Sequence, residues 1–290
     1  MKFQTLSSIL GATALTIASI APAQAYSWTY GIDSFKDGYN SGVVGTNSAF
    51  EFYGMAVAED ANSILFALNA NLDLAGNAST GAVDRHIGWG DLFLNFTGQN
   101  YDPAINSGNM LAIHFAGTNS DSGEQANGLY KVNSAQGVAS VNSGFNTLQA
   151  HKDRVGAANE AVGNVVDYQN YFAMNSTLKN VMLDGDKLGD IAFLDAATIA
   201  SSGLDFASKG AVGSKTIAFS FSKANLPGGL SGNLIATIFA ECNNDGIGLV
   251  AKVSPTPAPT PNPTAVPEPA SVLGLLTIAG SAFGLRRRRA

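Results

Sequence analysis

The end of this chain carries a run of sixteen residues without charge, 270–285, followed at once by four arginines. As an α-helix rising about 1.5 Å per residue, the run would be roughly 24 Å long, somewhat less than the roughly 30 Å of a bilayer core. Consecutive arginines cross a bilayer only at a large free-energy cost, so they would stay on the cytoplasmic side. The run therefore predicts a marginal transmembrane helix.

A short polar motif precedes the apolar run. The three-part tail consists of Pro267, Glu268 and Pro269, the apolar run, and Arg286, Arg287, Arg288 and Arg289. In this order the parts resemble the PEP-CTERM sorting signal of Gram-negative bacteria, over residues 266–290. The resemblance implies that a membrane protease, exosortase, recognises the tail and removes it. We therefore expect a transient inner-membrane anchor, and then release to the cell surface or the extracellular space.

The start of the chain has the pattern of a signal peptide. Lys2 gives a positive end, residues 9–20 form an apolar stretch, and Ala23 and Ala25 fit the small-x-small cleavage rule. We expect a signal helix over residues 1–25, cut by signal peptidase so that the mature chain begins at Tyr26. An uncleaved membrane anchor is the alternative.

A proline-rich segment separates the domain from the tail. Residues 254–266 contain five prolines, one at every second position from 255 to 263. Extended polyproline geometry, at about 3.1 Å per residue, would make this linker a semi-rigid stalk of roughly 40 Å. Its threonines would carry O-glycans, or the stalk would be a bare spacer that exposes the cleavage site.

The remaining residues, 26–253, are acidic and nearly free of cysteine. They contain 11 basic and 21 acidic residues, for a net charge near −10, and Cys242 is the only cysteine in the chain. Such a charge argues against binding nucleic acid or an anionic membrane by electrostatics. With one cysteine there is no intrachain disulfide, and we interpret Cys242 as a small buried residue.

Short apolar or alternating segments separated by Asn, Asp, Gly and Ser clusters predict an all-β domain. They favour a jelly-roll-like β-sandwich, with short helices possible within residues 148–162 and 198–206. The predicted strands lie within residues 26–30, 50–57, 64–68, 91–96, 110–115, 137–141, 191–194, 216–221, 234–239 and 246–250.

Three further stretches carry a second resemblance. Residues 28–34, 87–93 and 241–247 read Trp-Thr-Tyr-Gly-Ile-Asp-Ser, Ile-Gly-Trp-Gly-Asp-Leu-Phe and Glu-Cys-Asn-Asn-Asp-Gly-Ile. Together they resemble a cyanobacterial group of exosortase-dependent surface proteins. The resemblance implies an extracellular β domain and assigns no chemistry to particular residues.

Calcium is the one cofactor that the residues suggest. Asp184, Asp186 and Asp190 place three carboxylates within seven residues, and calcium takes six to eight oxygen ligands, often from such segments. The spacing only partly follows an EF-hand loop, because Leu188 stands at a ligand position. Further oxygen ligands elsewhere in the chain would be Asn119, Asp121, Asn243, Asn244 and Asp245. Ordinary turn chemistry explains the same residues.

Catalysis and glycan binding are the other hypotheses. Glu51 and Asp91 are the candidate carboxylate pair for a glycan-active enzyme, but the three histidines lack metal-ligand spacing and no nucleophile elbow is present. The aromatic residues that a sugar platform would draw on are Trp28, Tyr30, Tyr39, Tyr53, Trp89 and Tyr101. We expect a non-enzymatic surface or matrix protein with structural or adhesive work, or else a calcium-assisted module that binds exopolysaccharide.

Overall fold

A computed structural model describes residues 25–117, 121–124, 126–156 and 162–256. Strands dominate, with short helices at the edges. The strands are β1 (Thr29–Ile32), β2 (Tyr39–Asn40), β3 (Val43–Val44), β4 (Phe52–Glu59), β5 (Ser63–Ala70), β6 (Asn77–Ala78), β7 (His86–Ile87), β8 (Leu92–Asn95), β9 (Leu111–His114), β10 (Gly128–Gln136), β11 (Val162–Gly163), β12 (Val181–Gly189), β13 (Ala192–Phe193), β14 (Lys215–Ser222), β15 (Gly232–Phe239) and β16 (Gly246–Val253). The α-helices are α1 (Tyr101–Asn106), α2 (Leu148–Val155), α3 (Tyr168–Tyr171) and α4 (Ala196–Ser201).

Two six-stranded antiparallel sheets form the domain. One sheet has the order β11-β1-β4-β5-β14-β13 and the other β12-β10-β9-β8-β15-β16. Strands from distant parts of the chain are neighbours in each sheet, since β5 pairs with β14 and β8 pairs with β15. The predicted all-β sandwich with a few short helices is thus confirmed.

The main core lies between the two sheets. The alternating residues Phe219 and Phe221 of β14 are buried together with Leu92 and Leu94 of β8 from the other sheet. Phe66 of β5 stacks on Phe219 with ring centroids 5.9 Å apart. Because side chains of a strand alternate between its two faces, the apolar set of each strand is buried on the side that faces the opposite sheet.

The strand predictions were wrong at two long, polar strands. β10 and β12 were not predicted, and Asp184–Gly185, predicted as a turn, lies inside β12. Residues 137–141, predicted as a strand, form a loop that ends in a turn over residues 139–141. The β10–β12 pair contains register shifts at several points. Such bulges break the strict alternation, so these strands lacked the pattern that revealed the others.

The last strand ends where the proline-rich segment begins. Glu59, at the end of β4, accepts hydrogen bonds from the Ser254 backbone N–H and hydroxyl, and it forms an ion pair with Lys223 at 2.7 Å. Within the described residues no helix is both long and apolar enough to span a membrane. The predicted signal helix and transmembrane helix lie outside the described residues, as does the linker beyond residue 256.

Candidate metal centre

Four carboxylates from three distant parts of the chain meet at one end of the domain. Asp33 follows β1, Asp37 lies in the next loop, Glu51 precedes β4, and Asp245 lies between β15 and β16. Oxygens of Asp37, Glu51 and Asp245 all lie within 4.8 Å of one another. The side chains of Asp33, Glu51 and Asp245 are buried. We call these four residues the carboxylate cluster.

The loop after β1 approaches Glu51 closely because it contains a glycine. The backbone N–H of Gly38 donates to Glu51 Oε2 at 2.9 Å. A Cβ atom at Gly38 would lie only 2.6 Å from the Cα of Glu51. Only glycine permits this approach, which brings the neighbouring Asp37 against Glu51.

A tight turn after β15 presents Asp245. Asn243 adopts a positive φ of 51°, a conformation that asparagine tolerates better than most residues. Its N–H donates to the Ala240 carbonyl at 2.9 Å, and the Ala240 N–H donates to the Asp245 carbonyl at 3.1 Å. The turn therefore returns the chain to β16 with Asp245 facing the start of β4, where the Phe52 N–H donates to Asp245 Oδ2 at 2.7 Å.

Backbone N–H groups hold one oxygen of several of these carboxylates and leave the other oxygen without a partner. Asp33 Oδ1 accepts from the Ser34 N–H at 3.0 Å, and Glu51 Oε2 accepts from Gly38. Asp33 Oδ2, Asp37 Oδ1 and Glu51 Oε1 are buried and accept no hydrogen bond. Buried polar atoms are nearly always hydrogen-bonded, so these three oxygens are exceptions that require a physical explanation.

The cluster carries excess negative charge in a buried place. Burial raises the pKa of Asp37 to about 7, and burial together with the Asp37 charge raises the pKa of Glu51 to about 8. Burial and then Asp37 also raise the pKa values of Asp33 and Asp245 well above their usual range. Lys179, Lys187, Lys215 and Lys223 form their ion pairs with carboxylates outside the cluster, namely Asp102, Asp190, Asp73 and Glu59.

A cavity of about 350 Å³ opens onto the cluster, lined by Asp33, Asp37, Asp245 and Asn243 among others. Helix α2 forms part of its wall. The Thr147 hydroxyl caps this helix by accepting from the Ala150 N–H at 3.0 Å. His151 of α2 donates from Nε2 to the Asp37 carbonyl at 2.8 Å, and burial lowers the pKa of His151. This imidazole is therefore neutral at pH 7 and supplies no counter-charge.

Two other buried carboxylates, Glu241 and Asp91, have hydrogen-bond partners within the domain on both oxygens. Both oxygens of Glu241 accept backbone N–H groups, from Gly88 and from Asp121 at 3.3 Å, although burial raises the Glu241 pKa to about 8. Asp91 contacts His114 Nδ1 at 2.9 Å and the Met182 N–H. The predicted catalytic partners Glu51 and Asp91 thus have different neighbours in the structure.

The predicted calcium residues Asp184, Asp186 and Asp190 lie along and just beyond β12 and are exposed. Asp186 pairs in register with Lys131 of β10, and Asp190 forms an ion pair with Lys187 at 2.6 Å. The segment is a strand edge rather than a loop closed around a common point. Calcium binding by these residues stays a prediction.

Most of the predicted aromatic platform is not available for stacking. Tyr53, Trp89 and Tyr101 are buried in the core. Arg154 lies over the ring of Tyr39, 5.0 Å from its centroid, and Lys209 lies over Tyr30 at 5.5 Å. These cations occupy a ring face that a sugar would need.

The predicted processing sites are only partly described. Ala25 is exposed, and the Tyr26 N–H donates to the Ser202 carbonyl at 2.8 Å. The other processing residues lie outside the described residues: Ala23, Pro267, Glu268, Pro269, Arg286, Arg287, Arg288 and Arg289.

The sequence suggested Glu51 as a catalytic carboxylate and Asp245 as a further calcium ligand. It contained Asp33 only inside a family resemblance, without chemistry, and it did not suggest Asp37 as a functional residue. A signal was available, because Asp33, Glu51 and Asp245 each adjoin an apolar strand segment, where charge is unusual. The pairing of distant strands brings these residues together, and no short stretch of the sequence predicts that pairing.

Residues 265–289 match the PEP-CTERM protein-sorting motif. The chain therefore carries the signal for exosortase-dependent export, with membrane-transient processing and final placement at the cell surface or outside the cell. No curated protein and no solved structure matches this chain.

Proposed function

We propose that this protein is a non-enzymatic component of the cell surface or extracellular matrix, with a structural or adhesive role. The observation that carries the proposal is the sorting motif at residues 265–289 behind a proline-rich segment and a β-sandwich. Signal peptidase would remove residues 1–25 and exosortase would remove the tail. The released β domain would then act among extracellular polymers, with exopolysaccharide as the partner.

The composition of the domain supports this role. An acidic domain repels anionic lipid and nucleic acid, and a sandwich with its apolar faces turned inward has few exposed large apolar residues. Six of the eight described exposed ones are valines, and only Leu183 and Phe193 are larger. Adhesion would then rest on polar contacts and on multivalency in the matrix rather than on one apolar patch.

Two of the buried carboxylates, Glu241 and Asp91, support the proposal of a non-catalytic domain. Both oxygens of Glu241 accept backbone N–H groups, and Asp91 is buried against His114. A glycosidase would instead present two carboxylates to an open cleft at a controlled separation. These residues support the domain internally.

Cell fractionation tests the sorting step. Glu268→Ala should leave insertion intact and block recognition, so that uncut protein accumulates in the inner membrane. Replacing Arg286–Arg289 with alanine should weaken orientation in the membrane. Asn262→Ala, in the stalk just outside the motif, is the matched control and should be exported like the parent. Normal export of both tail variants would refute the proposal.

Purified exopolysaccharide tests the role. The exported protein should cosediment with the polymer and release no new reducing ends from it. Cells that lack the protein should form a matrix that shears more easily. Polymer cleavage by the protein would show that it is an enzyme, and an unchanged matrix would argue against the structural role.

A further inference from the structure

We propose that the carboxylate cluster is a calcium site, formed by Asp33, Asp37, Glu51 and Asp245. The proposal is independent of the structural or adhesive role, and it places calcium away from β12. It explains why three buried carboxylate oxygens of the cluster, Asp33 Oδ2, Asp37 Oδ1 and Glu51 Oε1, have no hydrogen-bond donor.

The distances fit one shared ion. Calcium–oxygen bonds are about 2.3–2.6 Å long, so two ligands on opposite sides of the same ion lie about 4.6–5.2 Å apart. The oxygens of Asp37, Glu51 and Asp245 lie within 4.8 Å of one another. One ion can therefore contact all three carboxylates without a large movement of the backbone.

The unpartnered oxygens point to a ligand independently of the cluster's composition. Glu51 is 0% exposed, yet its Oε1 accepts nothing while Oε2 is held by the Gly38 N–H. Asp33 is 6% exposed, and its Oδ2 accepts nothing while Oδ1 accepts from the Ser34 N–H. Hydrogen bonds from outer groups orient metal-ligating carboxylates in this way and leave one oxygen for the ion.

The hydrogen bonds favour charged carboxylates over protonated ones. Asp245 accepts N–H groups on both oxygens, from Gly246 and Phe52, each at 2.7 Å. Donors of this kind stabilise the anion, while burial and mutual repulsion destabilise it. A bound cation resolves this conflict, because it compensates the charge at the point where the oxygens converge.

The donor chemistry selects a hard cation. The converging side chains are carboxylates, and the adjacent Asn243 and Asn244 each have an amide oxygen without a partner. The nearby His151 uses Nε2 on the Asp37 carbonyl, and the Cys242 thiol is fully buried. Oxygen ligands in a flexible arrangement suit calcium, whereas magnesium demands near-ideal octahedral geometry and zinc prefers nitrogen and sulfur.

A bound ion would link three parts of the fold. It would join the loop after β1 to the start of β4 and to the turn between β15 and β16. The cavity beside the cluster offers a route for the ion and for the water molecules that complete its coordination. Calcium would thus lock the N-terminal loop against the last hairpin of the domain.

Calorimetric titration of the full chain in mild detergent, after treatment with chelator, tests the site with calcium chloride alone. We expect one stoichiometric binding event and a higher melting temperature in millimolar calcium. Glu51→Gln and Asp245→Asn should each weaken calcium binding by about tenfold or more. Magnesium chloride at the same concentration should have a smaller effect.

Two controls fix the location. Glu241→Gln neutralises another buried carboxylate outside the cluster and should bind calcium like the parent. The triple variant Asp184→Asn, Asp186→Asn, Asp190→Asn should also bind like the parent. Circular dichroism without calcium establishes that each variant is folded, and the titration of the parent protein stands even if one variant is not.

No binding by the parent would overturn the proposal. So would parent-like binding by both Glu51→Gln and Asp245→Asn, or loss of binding in the β12 triple variant alone. A response to magnesium equal to that of calcium would overturn the assignment of the ion.

Discussion

Glu51 and Asp245 come from opposite ends of the domain sequence, yet their carboxylate oxygens lie within 4.8 Å of each other. The contact joins the start of β4 to the turn before β16, where Phe52 donates its N–H to Asp245. In water two such anions would repel each other. The fold therefore holds them together against electrostatic repulsion, and this has measurable consequences.

The first consequence is a dependence of stability on pH in the absence of metal. The pKa of Asp37 is raised to about 7 and that of Glu51 to about 8, while those of Asp33 and Asp245 are also raised. A raised carboxyl pKa means that the folded state binds more protons than the unfolded state. The free energy of unfolding should therefore fall as pH rises from about 4.5 to about 8.

Thermal melts in chelator at pH 5.5, 7 and 8.5 check this. Each pKa unit corresponds to about 1.4 kcal/mol, and each kcal/mol to about 2–4 °C in melting temperature for a domain of this size. Glu241, with a pKa raised to about 8, adds to the fall. His151 has the opposite effect on the free energy of unfolding at the acid end of the pH range, because its pKa is lowered. The other charged groups that line the cavity are Lys152 and Asp167. A melting temperature that rises throughout this range would contradict the prediction.

The ion pair at the end of the domain gives a second prediction. The Lys223 side chain is 2% exposed and pairs with Glu59, which also accepts from Ser254. Glu59→Gln would leave a buried ammonium group without its counter-charge. Since Glu59 is partly exposed, we expect a loss of about 1–3 kcal/mol rather than the roughly 3–5 of a fully buried pair.

The matched control is Asp73→Asn. Asp73 pairs with Lys215 at the same 2.7 Å, but both side chains are nearly half exposed, so the expected loss is about 0–1 kcal/mol. Denaturant unfolding of the two variants measures the difference. Equal losses would show that the burial of Lys223 has no energetic effect.

A third prediction concerns the single thiol. Cys242 is free and fully buried, and burial raises the pKa of its thiol. Because the thiolate is the reactive form, a thiol reagent should not react with the native protein and should react with one equivalent after unfolding. Rapid reaction of the folded protein would place Cys242 at an accessible surface.

A fourth prediction concerns the mature ends of the protein. Intact-mass analysis of exported protein should find Tyr26 as the first residue and no residue after the Pro-Glu-Pro motif. The basis is the cleavage pattern at Ala23 and Ala25 and the sorting motif at residues 265–289. Exported material that retains Met1 or Arg289 would show that the corresponding cut does not occur.

Sequence reasoning succeeded where the pattern was local. The segment 216–221 alternates Ile217, Phe219 and Phe221 with smaller residues and became β14. The helix predicted within residues 148–162 is present as α2 over Leu148–Val155. Cys242 is buried, as predicted. Local alternation and composition were sufficient for the strand and the helix because each of these elements depends on neighbours in the chain.

The candidate site was different. Glu51 was noticed, but it was paired in the prediction with Asp91, which the fold places beside His114 instead. Asp184, Asp186 and Asp190 were predicted to bind calcium because their carboxylates are close in sequence. The backbone there is extended, at about 3.3 Å per residue, so the three carboxylates are spread along the chain instead of around one point, and Asp190 forms an ion pair with Lys187.

The sequence by itself determined the class of fold, the sorting tail and the net charge, since these follow from periodicity, composition and contiguous motifs. The tertiary structure alone decided which carboxylates meet. That outcome depends on the pairing of β1 with β4, on the close approach that Gly38 permits, and on the turn at Asn243. Contacts between residues so far apart are set by sheet register and loop closure, which no local pattern encodes.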